Sequence, residues 1–159
     1  MSAIRILGIG SPAGDDQAGW LTVDALEASG VSRRFAPGQI TSARLDRPGA
    51  GLISLLENAT WVILVDAMQS NGKAGEIRRF NLEIWAAYSH GLSSHGFGVL
   101  DALLLARELG NLPPRLDLYG IEIGSASPGA APGAPILAAA QRLARIIATE
   151  LGSKPSTLP

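Results

Sequence analysis

The sequence predicts an α/β fold: a three-layer sandwich with a mostly parallel, doubly wound sheet of about five strands and helices on both faces. Three observations predict it. Short apolar runs alternate along the chain with amphipathic stretches of helical length. The strongest run, 61–66 (WVILVD), is apolar until its last residue, the pattern of a central parallel strand buried on both faces. The length of 159 residues, with 47% apolar and 17% charged residues, suits one domain around one core.

The elements follow in order. Residues 3–9 (AIRILGI) form a short apolar run closing on a glycine-rich turn, and predict a buried strand. Residues 17–29 place Trp20, Val23, Leu26 and Glu27 at near-helical spacing, with Asp16 as N-cap and Gly30 as the stop. Residues 39–45 alternate as a strand does, and 50–58 form a short helix. The strand at 61–66 comes next. Residues 75–81 (GEIRRFN) alternate after the turn SNGKAG and predict a strand that an antiparallel position would suit. Residues 97–109 are an amphipathic helix and 115–123 a strand. A loop of small residues, 124–134, leads to a last helix at 135–151. A single domain is expected over 1–152, with a frayed tail at 153–159 (SKPSTLP) and no internal repeat.

Composition narrows the function. The net charge of −1, without a basic stripe or polybasic patch, argues against nucleic-acid and anionic-membrane partners. Aromatic residues make up 5%, too few for base-stacking platforms. The chain has no cysteine, which removes disulfides, thiolate nucleophiles and soft metal sites together. That is consistent with a cytoplasmic location. The first apolar run is too short for a signal-peptide core, and no stretch approaches a membrane-spanning helix.

Doubly wound sheets bind ligands outside the carboxyl ends of their strands. Those ends carry Asp15 and Asp16 after the first strand, Asp46 after the second and Asp66 at the third. Taken singly, each acid reads as a turn or cap residue, and His95 as a loop residue. His90, in AAYSHG, has nothing nearby to support a role. Taken together, Asp16, Asp66 and His95 come from three loops of one sheet edge and make a hard-to-borderline metal site with open positions. Nickel, zinc, manganese and iron all fit that set. A dinucleotide site fits less well. In GIGSPAG, Gly14 falls one residue late for the fingerprint, and two acids occupy the helix end that a pyrophosphate needs. Where the ribose-binding acid is expected stand Arg33 and Arg34. No G-x-S-x-G elbow or H-E-x-x-H helix occurs, and Ser94 merely adjoins His95.

These residues resemble the hydrogenase maturation endopeptidases, which trim the C-terminal extension from the large-subunit precursor of nickel–iron hydrogenases. The resemblance rests on five landmarks in order: GIGSPAGDDQAG, LDRPGAG, VILVDAM, SSHGFGVLDALLLAREL and LYGIEIGSASPG. They span roughly residues 4 to 150. The resemblance implies that Asp16, Asp66 and His95 contact nickel, and that Asp46 is a further functional acid, acting as general base or orienting the substrate. It also implies that the nickel arrives in the precursor and is no resident cofactor, so that cleavage follows only on a loaded substrate. With three ligands, weak metal binding is expected in the free protein. Five positions depart from the family pattern. Ser11 replaces an asparagine, Gln17 a glycine, Asp16 the glutamate of some members, and Arg47 with Pro48 replace small residues. These departures leave open a second reading, a non-catalytic checkpoint that binds the nickel-loaded subunit without cutting it. Which hydrogenase is processed, the cleavage site and the oligomeric state stay open.

Overall fold

The computed structural model describes residues 3–83, 98–124 and 131–153. His90, Ser94, His95, most of the loop 124–134 and the tail from 154 onward lie outside the described residues.

β1 (Ile4–Gly10), β2 (Ile40–Asp46), β3 (Trp61–Met68), β4 (Ile77–Phe80) and β5 (Arg115–Glu122) form one sheet in the order β2-β1-β3-β5-β4. The first four in that order run parallel; β4 closes the edge antiparallel to β5. The expected architecture therefore holds, including the antiparallel placement of β4. β3 is central and buried along its whole length, as its unbroken apolar run requires. Parallel strands must be joined by crossovers, and the helices supply them. α1 (Ala18–Ser29) and α4 (Ala134–Ser153) cover one face; α2 (Leu52–Leu56) and α3 (Val99–Glu108) cover the other. Alternate residues of β3 divide accordingly. Trp61, Ile63, Val65 and Ala67 meet the first pair of helices, and Val62, Leu64 and Met68 meet the second.

Two glycines allow α1 to lie close on the sheet. A Cβ at Gly8 would stand 2.3 Å from the Gly19 carbonyl oxygen, and one at Gly19 would stand 2.4 Å from that of Ile9. Gly30 ends α1 in the left-handed region, φ 71°, its N–H donating to Glu27 O at 3.1 Å.

Several boundaries differ from expectation. Asp16 is not the N-cap of α1. It lies inside a 3-10 turn, Gly14–Gln17, that runs into the helix, and Gln17 takes the cap position without a side-chain bond. The Asp16 carboxylate is instead engaged by Ser11, which removes it from the helix end. Asp66 does not end its strand. β5 pairs with β3 past that point, through Asp66↔Gly120, Ala67↔Ile121 and Met68↔Glu122, so the ladder carries β3 two residues further. The last helix likewise runs to Ser153.

Candidate active site at the carboxyl edge of the sheet

The chain leaves β1 to form β2 on one side, then crosses to form β3 on the other. This reversal puts the switch point of the sheet at the carboxyl ends of β1 and β3, the place where such sheets take ligands. Three of the four sequence-predicted site residues stand around it. Asp46 ends β2 and is in register with Gly10, which ends β1. Asp16 lies in the turn after β1. Asp66 lies in β3, one position beyond the Gly8↔Val65 pairing. The fourth, His95, lies outside the described residues, three positions before Gly98, the N-cap of α3. Among the described residues, no group of three or more His, Asp or Glu side chains is gathered closely enough to hold a metal ion.

Each acid is held differently. Asp66 is 5% exposed, in a strand buried on both faces, and its Oδ1 accepts from the Ala67 amide at 2.8 Å. By strand alternation it shares a face with Leu64 and Met68, the face that α3 covers. Asp16 is half-buried, and its Oδ2 accepts from the Ser11 hydroxyl at 2.5 Å. Asp46 is exposed and pairs with the Arg47 guanidinium at 2.7 Å. Arg47 holds a left-handed backbone, φ 45°, which a non-glycine residue adopts only at a cost. Its N–H donates to Gly10 O at 3.1 Å and so binds the end of β2 to the end of β1. The indole N–H of Trp20 adds a second tie, to Leu45 O at 3.0 Å. The Arg47 guanidinium is itself held further into its charged form, first by its bond to Asp46, then by the charges of Asp46 and Asp16.

Asp15 and Asp16, adjacent in sequence, serve different parts of the molecule. Asp15 Oδ1 accepts from the backbone N–H of Gly133 at 2.7 Å. The Gly133 carbonyl accepts from the Ile136 and Leu137 amides, so Gly133 is the N-cap of α4. The carboxylate thus satisfies a donor at a helix N-terminus, where negative charge is favoured, and anchors the last helix to the first loop.

Sequence reasoning overlooked two supporting residues. Ser11 stood out only as a departure from a pattern; it is 5% exposed and orients Asp16. Glu122, at the end of β5, is fully buried. It accepts from the Ser70 hydroxyl at 2.5 Å, the Ser70 amide at 3.2 Å and the Gly124 amide at 3.0 Å. Burial pushes its carboxyl up, but these bonds and one from the Gly72 amide hold it below its usual range. Glu122 secures the segment after β3. The one available signal was an acid inside the apolar strand LYGIEI.

The model of a protein family described as hydrogenase maturation protease matches residues 48–150. Solved structures are similar across nearly the whole chain. The hydrogenase maturating endopeptidase HybD from E. coli is 23% identical, with 94% of each chain covered and a TM-score of 0.75. The [NiFe] hydrogenase maturation protease HycI from Thermococcus kodakarensis is 23% identical, with 96% of this chain and 94% of that one covered and a TM-score of 0.69. HybD from the same organism is 20% identical, with 93% and 98% covered and a TM-score of 0.71. At these identities the likeness is one of fold. No curated protein sequence matches the chain.

Proposed function

The chain belongs to the hydrogenase maturation protease family, a family of peptidases, and from that premise we propose that it removes the C-terminal extension of a nickel–iron hydrogenase large-subunit precursor. The observation that carries this reading is the placement of Asp46 at the end of β2, Asp16 in the turn after β1 and Asp66 two residues before the end of β3, three adjacent strands around the switch point of the sheet.

In this reading the nickel belongs to the substrate. Asp16, Asp66 and His95 complete its coordination when the precursor docks, two carboxylates and one imidazole being a donor set suited to a borderline divalent ion. Cleavage then follows only on a precursor whose metal has been inserted. Ser11 fixes the rotamer of Asp16, and the buried position of Asp66 in the central strand gives that carboxylate a rigid base. Asp46, exposed and tied to Arg47, sits on the rim and orients the extension. No described helix is long and apolar enough to cross a membrane.

Intact-mass spectrometry of a co-expressed large subunit tests the proposal, with and without this protein and with and without nickel. Loss of a C-terminal peptide only when both are present supports it. Asp16→Asn, Asp66→Asn and His95→Ala should each abolish that loss. An unchanged mass with a nickel-loaded precursor, together with stable co-purification of the two proteins, would instead make this chain a checkpoint that binds without cutting.

A further inference from the structure

β4 is an edge strand, and among the described residues nothing pairs with its outer side. The Glu122 N–H donates to Glu76 O across the β4–β5 ladder at 2.8 Å. Antiparallel alternation then turns the main-chain N–H and C=O groups of Ile77 and Arg79 outward, where an added strand would find them. The same edge borders a groove of about 730 Å³ between β4 and α4, floored by Ile77, Arg79 and Tyr119 and walled by Arg142, Arg145, Ile146 and Glu150, whose carboxylate is already paired with Arg115. A second hollow of about 420 Å³ shares Ile77 and Arg142 and extends the groove to Lys73.

The charge of this face sets it apart in a chain whose net charge is −1. Arg79 is already matched by Asp117, and Arg78 by Glu76. Arg142 spends one N–H on Gly75 O at 2.8 Å. Lys73 and Arg145 have no carboxylate partner among the described residues. Arg142, Arg145 and Ile146 are all exposed, so cations and an apolar side chain stand together beside open backbone groups.

The geometry points to a docking site for an extended, acid-bearing segment of a partner polypeptide, added as a sixth strand to β4. Backbone pairing supplies affinity in this mode and alternate side chains supply choice. Side chains on the α4 side of such a strand alternate between Ile146 and the guanidiniums of Arg142 and Arg145, so carboxylates are favoured there. Arg78 lies opposite Gly120, and Gly120 opposite Asp66. Two strand spacings, about 10 Å, thus separate this edge strand from the candidate site.

The test uses the full chain, isotope-labelled, titrated by NMR with two capped heptapeptides, Thr-Glu-Val-Glu-Val-Glu-Thr and Thr-Lys-Val-Lys-Val-Lys-Thr. The acidic peptide should shift the amides of Ile77 and Arg79 and slow their hydrogen exchange, and the basic one should not. Arg142→Glu with Arg145→Glu, both on the exposed face of α4, should weaken the acidic peptide by about tenfold or more. Three results would overturn the proposal: no response to the acidic peptide at millimolar concentration, equal binding of the basic peptide, or indifference to the charge reversal. Concentration-dependent shifts of the same two amides without peptide would assign the edge to a second copy of this chain. None of these outcomes depends on whether the protein cleaves a precursor.

Discussion

Asp117, at the amino end of the sheet, and the three candidate-site acids, at the carboxyl end, are held in opposite ways. At the amino end, Asp117 is 7% exposed and surrounded by donors. It accepts from the Trp61 indole at 2.7 Å, from Arg79 at 2.6 Å and from Arg115 at 3.0 Å. Arg115 also reaches Glu150 at 3.0 Å and stacks on Trp61, 3.8 Å from its ring centroid. Burial raises the Asp117 carboxyl, and the Arg79 bond, the Trp61 bond and the two positive charges more than reverse that. Its charge is consumed by the fold. At the carboxyl end, a hydroxyl holds Asp16 and an amide holds Asp66, while the exposed Arg47 pairs with Asp46. Those contacts orient the acids. One residue type, on opposite edges of one sheet, is thus locked between guanidiniums at one edge and held by a hydroxyl, an amide or an exposed arginine at the edge where such sheets take ligands.

Substitutions can break that contrast, and the largest effect is expected at Asp66. Asp66→Asn keeps the shape and removes the charge, so precursor cleavage should fall by at least about 10²-fold while the thermal midpoint moves little. A mass assay alongside calorimetry reads both. If stability collapses with activity, the two ends are not different in kind.

Asp117→Ala should do the reverse. It strips the Trp61 indole and two guanidiniums of their acceptor, at a cost of about 2–3 kcal/mol. The figure sits below that for a fully buried pair because Arg79 and Arg115 can still reach water. Urea unfolding should show the loss, with cleavage unchanged below the new midpoint.

A pH series sharpens the comparison. Asp117 and Glu122 titrate in the folded protein below their ordinary values of 3.8 and 4.5. The unfolded chain therefore takes up protons first as pH falls. Their contribution is fully present above about pH 5 and is lost progressively as pH drops through those values toward the lower folded ones. Urea midpoints measured from pH 6 to pH 3 should decline, and Glu122→Gln should flatten part of the decline.

The smallest expected effect is at Ser11. Ser11→Ala leaves Asp16 in place without its hydroxyl donor. Cleavage should drop about tenfold, in the range found for residues that orient a metal-contacting side chain. Stability should change by about 1 kcal/mol. Ser11→Asn, which restores a donor, should recover part of the activity; no recovery would make Ser11 a packing residue only.

Much of the fold was legible because its signals are local. The run WVILVD announces a strand buried on both faces, and β3 is the central strand. Gly30 stops α1 where a left-handed residue is needed. The alternation of GEIRRFN suited an antiparallel strand, and β4 pairs antiparallel with β5. The candidate site was legible in part. Strand-end position picked out Asp16, Asp46 and Asp66, and the parallel register brings the ends of β2, β1 and β3 together.

What the chain could not announce is which neighbour each polar group would find. Asp15 and Asp16 are adjacent and alike, and local patterning assigns both to one turn. Yet Asp15 turns to Gly133, a partner 118 residues away, while Asp16 turns to Ser11. Glu122 and Asp117 lie in one strand, yet one holds backbone amides and the other holds guanidiniums. By itself the sequence determined the order of strands and helices, because apolar periodicity and glycine punctuation act over a few residues. Only the tertiary structure decided which acids are spent on the fold and which stand around the switch point of the sheet. A carboxylate's partners come from distant segments, brought within hydrogen-bond reach only when the sheet and its covering helices have assembled.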